Sequence, residues 1–228
     1  MSVRHTALLD TTGVGCMTDP WNERAELYRT SSAHTSGPDL DLLVEWAGGT
    51  ATAIDVATGG GHVARRLREA GLEVVSCDPA PAMQPDVICF AEHLPFADDA
   101  FELAVTRVAA HHFADVAEAT RELARVASRR VIVVDNLFGG DDTERAEKLR
   151  DHSHVRTYTE AEWREFFAGA GIEVDEARVF TFPIELEPWL ERTGCEGEEA
   201  ALVRELLGDR IEGDMVVFDR IALRGRPG

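Results

Sequence analysis

The residues whose types and spacing could do chemistry are Asp55, the run Gly59, Gly60 and Gly61, and Asp78, all within TAIDVATGGGHVARRLREAGLEVVSCD at 52–78. Consecutive glycines permit a tight turn and let a ligand approach the backbone closely. A helix starting just after such a turn presents unpaired amides, and a carboxylate at the tip of the next strand accepts hydrogen bonds from ribose hydroxyls. The stretch therefore reads as a nucleoside site. GGGHVA matches the G-x-G-x-x-G/A pattern of dinucleotide-binding folds, with Asp78 close to the expected spacing, so an NAD(P)-dependent oxidoreductase is one reading. No Tyr-x-x-x-Lys pair or similar hydride-transfer machinery accompanies it.

The elements that must position these residues follow from periodicity. Ala53, Ile54, Val56 and Ala57 form an apolar run suited to a strand buried on both faces. Val63, Ala64 and Leu67 give a helix from His62 to Ala70, which Gly71 stops, and Leu72–Cys77 make the second strand. Upstream, Met1–Pro20 has no periodicity and reads as a flexible lead-in. Helices are expected at Trp21–Thr30 and Pro38–Ala47, separated by a polar break at 31–39, and together they cap the strand ends across 21–50.

Downstream, strands are expected at Asp86–Phe90, Leu103–Arg107 and Val131–Val134, with an amphipathic helix at Asp115–Ala127. A charged insert at 140–158, helical in part, is placed over the active site. Thr159 and Glu162 have the spacing of a capping box opening a helix to Gly169. A sixth strand at Val174–Pro183, a helical stretch at Glu185–Leu207 and a last strand at Met215–Leu223 follow, and RGRPG reads as a frayed end. This alternation is that of an α/β, doubly wound, Rossmann-like sheet, in one domain over 21–228.

Composition excludes some functions. With 23 basic against 42 acidic residues, the net charge of −19 argues against a nucleic-acid partner, because phosphate neutralisation supplies most of that affinity. No run approaches the roughly 20 apolar residues that cross a bilayer, so no membrane insertion is expected. Four cysteines lack C-x-x-C spacing, which suits a reducing cytoplasm. His111-His112 and His152-x-His154 lack the H-x3–5-H pattern, so no metal site is expected.

Further along, the chain resembles a known family. Asp55 leads a loop similar to the D/E-x-G-x-G-x-G loop of class I S-adenosyl-L-methionine (SAM)-dependent methyltransferases, with Ala57 replacing the first glycine. AEHLPFADDAFELAV is similar to the segment before the fourth strand in ubiquinone/menaquinone-biosynthesis methyltransferases. TRVAAHHF, RELARV, EKLRDHSHVRTYTEAEWR and AELYRTSSAHTSGPDL look like one bacterial subgroup of that family, and the resemblance spans roughly 21–207. It implies a seven-stranded, mostly parallel sheet whose antiparallel last strand lies beside the fifth. It also implies SAM as cofactor and methyl transfer to a small-molecule acceptor by in-line displacement.

Carried over residue by residue, the resemblance implies that Asp55, Ala57, Gly59 and Gly61 flank the methionine moiety. Asp78, followed by Pro79, holds the ribose, and Met83, Ala91 and Glu92 lie by the adenine. Tyr28 reaches the carboxylate end of the cofactor. Phe90 departs from the family, which has Asp before this alanine, and the stretch from Met83 to Ala91 is short; a catalytically degenerate SAM-binding protein is the reading those departures favour. Arg107, His111 and His112 end the fourth strand, where ligands bind in such sheets. Arg107 is expected to hold the SAM carboxylate or pair with an acid, and either histidine to act as base. His152, His154 and Arg156 line the acceptor pocket or form a solvated helix end. Trp163, Phe166, Phe167 and Trp189 serve core or acceptor pocket, with core expected. A homodimer is left open.

Overall fold

In the computed structural model, which describes residues 19–228, an apolar β-sheet grows outward from β1 (Thr52–Val56), fully buried from Ala53 onward. On one side lie β2 (Glu73–Asp78) and β3 (Val87–Ile88); on the other lie β4 (Phe101–Arg107) and β5 (Ala127–Asn136). All pair in parallel. Beyond β5 come β8 (Met215–Pro227) and β6 (Ile172–Glu185), giving the order β3-β2-β1-β4-β5-β8-β6. β8 is antiparallel to both neighbours, as expected for a last strand lodged beside the fifth. An eighth strand, the two-residue β7 (Ile211–Glu212), hangs off β8 outside that seven-strand path.

Helices cover both faces. One core joins Ile54, Val56 and Ala104 to Leu123 of α6 (Val116–Val126) and to Trp163 and Phe167 of α8 (Glu160–Gly169). The opposite core joins Leu103, Val105 and Ile132 to Leu67 of α5 (His62–Glu69) and to Leu40 and Leu43 of α4 (Pro38–Trp46). Burying each such side chain is worth about 1.5–3 kcal/mol, which is why these stripes were legible as periodicity. Trp189, on α9 (Leu186–Glu191), packs on Phe218 and on α10 (Gly197–Leu207). The aromatic set is thus core.

Several boundaries need correction. The helix expected at Trp21–Thr30 is two, α1 (Asp19–Glu23) and α2 (Ala25–Thr30), because Arg24 leaves helical dihedrals at φ −97° and ψ 3°. The polar break contains one further turn, α3 (Ser32–Thr35). The third strand shrinks to two residues, since the Asp86 carboxylate turns back onto the Ser76 amide and hydroxyl at 2.9 and 2.7 Å. The stretch at Glu185–Leu207 breaks between α9 and α10. The supposed frayed end is β8 itself: Arg224 and Arg226 both bond Asp175, at 2.7 and 3.1 Å, and hold it against β6. The insert contains α7 (Asp141–Arg150), and the Thr159–Glu162 capping box is present. Of the lead-in, residues 1–18 lie outside the described residues.

Candidate active site

β1 lies between β2 and β4, the point where the chain reverses direction across the sheet, and a crevice opens there at the strands' carboxyl ends. The turn leaving β1 is tightly bent: Ala57, Gly59 and Gly61 all have positive φ, at 57°, 51° and 75°. Ala57 tolerates this at a cost of about 1–2 kcal/mol that a glycine would not incur. Val108, just past β4, has φ 54°, an outlier for a β-branched residue. Both strained residues line the crevice. Gly60 is irreplaceable for a different reason, since a Cβ would sit 2.8 Å from the Tyr28 carbonyl.

Asp55 holds this turn from below. Its Oδ2 accepts from Thr58 Oγ1 at 2.5 Å and from the Ala64 amide at 3.0 Å, the latter in the first turn of α5. Asp78 ties the turn to β2, accepting from the Gly59 amide at 2.9 Å and from the Ala80 amide at 2.9 Å. Both carboxylates are almost wholly buried and, among the described residues, neither has an ion-pair partner. Burial pushes Asp55 up to about 7, with the neighbouring Asp78 charge adding to the shift; burial raises Asp78 as well.

The crevice holds a cavity of about 150 Å³. Tyr28, Asp55, Ala57, Gly59, Asp78, Pro79, Met83, Ala91, Glu92, Arg107 and His112 all line it, as does Phe90. Gly61 and His111 are not in its wall. Gly61 instead precedes α5 in a left-handed conformation. His111 sits behind, with Nδ1 donating to Asp135 Oδ1 at 2.6 Å. Burial works against its charged form, but Asp135 outweighs burial and its pKa is raised. Placing His111 as a base is corrected on this geometry: it holds a proton against a buried acid, away from the cavity. Glu92 faces the cavity, but its carboxylate is used on the Ala114 and Asp115 amides at 2.9 and 3.2 Å. Arg107 takes the acid-pairing alternative, donating to Asp39 at 2.8 and 3.2 Å and to the His34 carbonyl at 3.0 Å.

His112 remains. Its Nδ1 donates to the Ser153 carbonyl at 2.9 Å, so Nε2 carries the lone pair. Burial and the adjoining His111 push it down to about 3, which keeps it neutral. Trp21 meets it edge-on, with ring centroids 5.8 Å apart. The segment after α7 packs on this corner, its Val155 and Arg156 amides donating to the His111 carbonyl at 2.8 and 3.1 Å. His152 and Arg156 are exposed, whereas His154 is buried.

Among the described residues, one grouping has three ligand atoms within 4.8 Å of one another: Glu144, Glu147 and His154. Glu144 already accepts from Thr157 and approaches His154 Nε2 at 3.3 Å; burial opposes its charge, but these contacts hold it down to about 2. Those bonds make it a pin between α7 and the following loop. Sequence reasoning missed His34, Thr58, His62 and Trp21 as cavity-lining residues. His62 Nε2 donates to the Tyr28 carbonyl at 3.1 Å, fastening the cap to the glycine turn, and only its adjacency to the glycines hinted at this.

Comparison with known proteins gives a consistent picture. The model of the methyltransferase domain family matches residues 54–134. The uncharacterised methyltransferase YcgJ of Bacillus subtilis strain 168 is 31% identical over 199 residues, covering 77% of this chain and 79% of its own length. YafE of Escherichia coli K12 is 38% identical over 110 residues, 45% of this chain and 53% of that protein. The crystal structure of YcgJ superposes with a TM-score of 0.74 at 25% identity, covering 83% of this chain and 97% of that one.

Proposed function

The chain belongs to the class I SAM-dependent methyltransferase family, and from that premise we propose that it transfers a methyl group from SAM to a small-molecule acceptor. The observation that carries the reading is the pair of buried carboxylates, Asp55 and Asp78, that face one cavity and, among the described residues, form no ion pair with the protein. Unpaired buried charge is costly, so such a cavity favours a ligand that brings positive charge. SAM carries a sulfonium and an ammonium. A dinucleotide could also place a ribose on Asp78, but its two phosphates bring no positive charge to offset Asp55.

In this reading Asp78 accepts from the ribose hydroxyls with the lone pairs not used on Gly59 and Ala80. The glycine turn flanks the methionine moiety, with Asp55 near its cationic groups. Met83 and Phe90 offer apolar faces to the adenine, and Ala91 its backbone, in place of the carboxylate the family has before this alanine. When bound, SAM supplies an electrophilic methyl group. The neutral Nε2 of His112 accepts the proton-bearing edge of the acceptor and orients its nucleophile; His111, held by Asp135, positions that ring. Orientation of this kind can supply several kcal/mol of barrier lowering. The cap at 21–50 and the segment at 140–158 exclude water from above.

Incubating the protein with methyl-labelled SAM and a small-molecule extract tests the reading. Label is expected in a low-molecular-weight product that does not form with Asp78→Ala. A second reading, a SAM-binding protein without turnover, is favoured by Phe90, 41% exposed at the rim where a carboxylate is usual in the family. Tight SAM binding with no labelled product from any extract would support that one.

A further inference from the structure

His34, on α3, lines the same cavity as Asp55, Asp78 and His112, and the reading above gives it no task. Its place is fixed from two sides. Arg107 donates to its carbonyl at 3.0 Å, and Ser31 Oγ lies 2.9 Å from its Nδ1. Arg107 ends β4, which lies on the opposite side of β1 from β2, so His34 stands across the crevice from Asp78, the ribose acid. The glycine turn, which leaves β1, runs between them. The His34 ring stands beside that of Tyr28, with centroids 5.6 Å apart. Tyr28 is itself tied to the turn, its carbonyl bonded by His62 Nε2 at 3.1 Å and packed against Gly60.

Two polar ends in this corner are unused. Among the described residues, His34 Nε2 and Tyr28 Oη take part in no hydrogen bond. Neither is sealed from solvent: the buried side-chain atoms left without a bond are Thr106 Oγ1, Arg150 Nε and Trp163 Nε1. Arg107, by contrast, is committed, each of its three nitrogens donating to Asp39 or to His34. Two guanidiniums on one carboxylate still leave the group of Asp39, Arg107 and Arg220 with a net positive charge behind His34. That field favours an anionic group in this corner.

The protonation states suit such a group. Burial, and then the Arg192, Arg220 and Arg107 charges, set His34 well below the ordinary histidine value, so its ring is neutral at pH 7. The Ser31 hydroxyl is able to donate into Nδ1, which puts the ring proton on Nε2. Burial, and then the Asp151 charge, raise the Tyr28 phenol, which keeps its proton. The corner thus offers one N–H and one O–H.

We propose that His34 Nε2 donates to the carboxylate of the methyl donor, with Tyr28 Oη as the second donor, and so makes the site demand the amino-acid end of SAM. The proposal rests on the methyl-transfer reading, which lays the methionine moiety along the glycine turn. A hydrogen bond to a carboxylate is charge-assisted, and its loss is expected to weaken binding about tenfold or more.

The test uses the full chain as wild type, His34→Ala and His34→Gln, titrated calorimetrically with two probes. S-adenosylhomocysteine carries the amino-acid end; 5′-deoxy-5′-methylthioadenosine has the same nucleoside and thioether without it. His34→Ala is expected to lose about tenfold on S-adenosylhomocysteine and less than about twofold on the truncated probe. His34→Gln keeps a side-chain N–H and should bind S-adenosylhomocysteine more tightly than the alanine variant. The proposal is overturned if His34→Ala binds S-adenosylhomocysteine as tightly as wild type, or if it loses equally on both probes, which would place His34 at the nucleoside or in the fold. Glutamine binding no better than alanine would also count against a hydrogen bond. Failure of the wild type to bind either probe would instead contradict the methyl-transfer reading itself.

Discussion

Asp39→Asn is expected to lower folding stability by about 3–5 kcal/mol, which for a chain of this size moves the melting temperature down by roughly 6–20 °C. Asp39 is fully buried on α4 and is the one acid shared by two buried arginines. Arg107 of β4 donates to it through two nitrogens, and Arg220 of β8 donates through Nη1 at 3.2 Å. The Arg220 guanidinium also lies 3.7 Å from the centroid of the Phe182 ring. Asparagine keeps the shape but removes the one carboxylate that both buried cations bond. Burial raises the pKa of Asp39, but the two arginines outweigh it and set it below the ordinary carboxylate range. The stabilisation it gives is therefore complete above the unfolded pKa near 3.8 and is lost as pH falls through the lower folded value. Urea unfolding at pH 7 and at pH 3 checks both statements. A loss below 1 kcal/mol at pH 7 would mean that the triad does not bear on folding.

The second large effect concerns ligand. Asp78→Ala is expected to weaken S-adenosylhomocysteine binding by about 100-fold or more. Two charge-assisted hydrogen bonds to a ribose diol contribute on the order of 1.5–3 kcal/mol each. The same substitution frees the Gly59 and Ala80 amides, so the glycine turn loosens as well. Asp78→Asn separates the two contributions: it retains one acceptor oxygen for the turn but loses the charge, and should fall between wild type and alanine. Calorimetric titration of the three proteins measures this. A change below threefold for alanine would remove Asp78 from the ribose role.

What could be read along the chain was what the chain keeps local. The glycine turn, Asp55 and Asp78 sit within one strand–helix–strand unit, so their spacing alone forecasts a shared crevice. Thr159 and Glu162 are three residues apart, and their reciprocal cap followed from that. The antiparallel position of β8 came through the family resemblance, because no local pattern distinguishes an antiparallel closing strand from a parallel one. The extension of β8 to Pro227 was missed because the pairing of Arg224 and Arg226 with Asp175 spans about fifty positions. The Asp39–Arg107–Arg220 triad was invisible for the same reason, its members lying 68 and 181 positions from Asp39.

Adjacency also misled. His111 and His112 look equivalent as letters, yet the 3-10 turn at Ala110–His112 sends one ring to Asp135 and the other to the cavity.

The central claim is that two unpaired carboxylates at the ends of β1 and β2 select a cationic nucleoside over a dinucleotide. The most direct measurement is calorimetric titration of the purified chain with SAM, with S-adenosylhomocysteine and with NADH under one buffer. Saturable binding of SAM and S-adenosylhomocysteine at one site per chain, with NADH not competing, is the predicted result. Saturable NADH binding, or no heat from SAM at millimolar concentration, would contradict it.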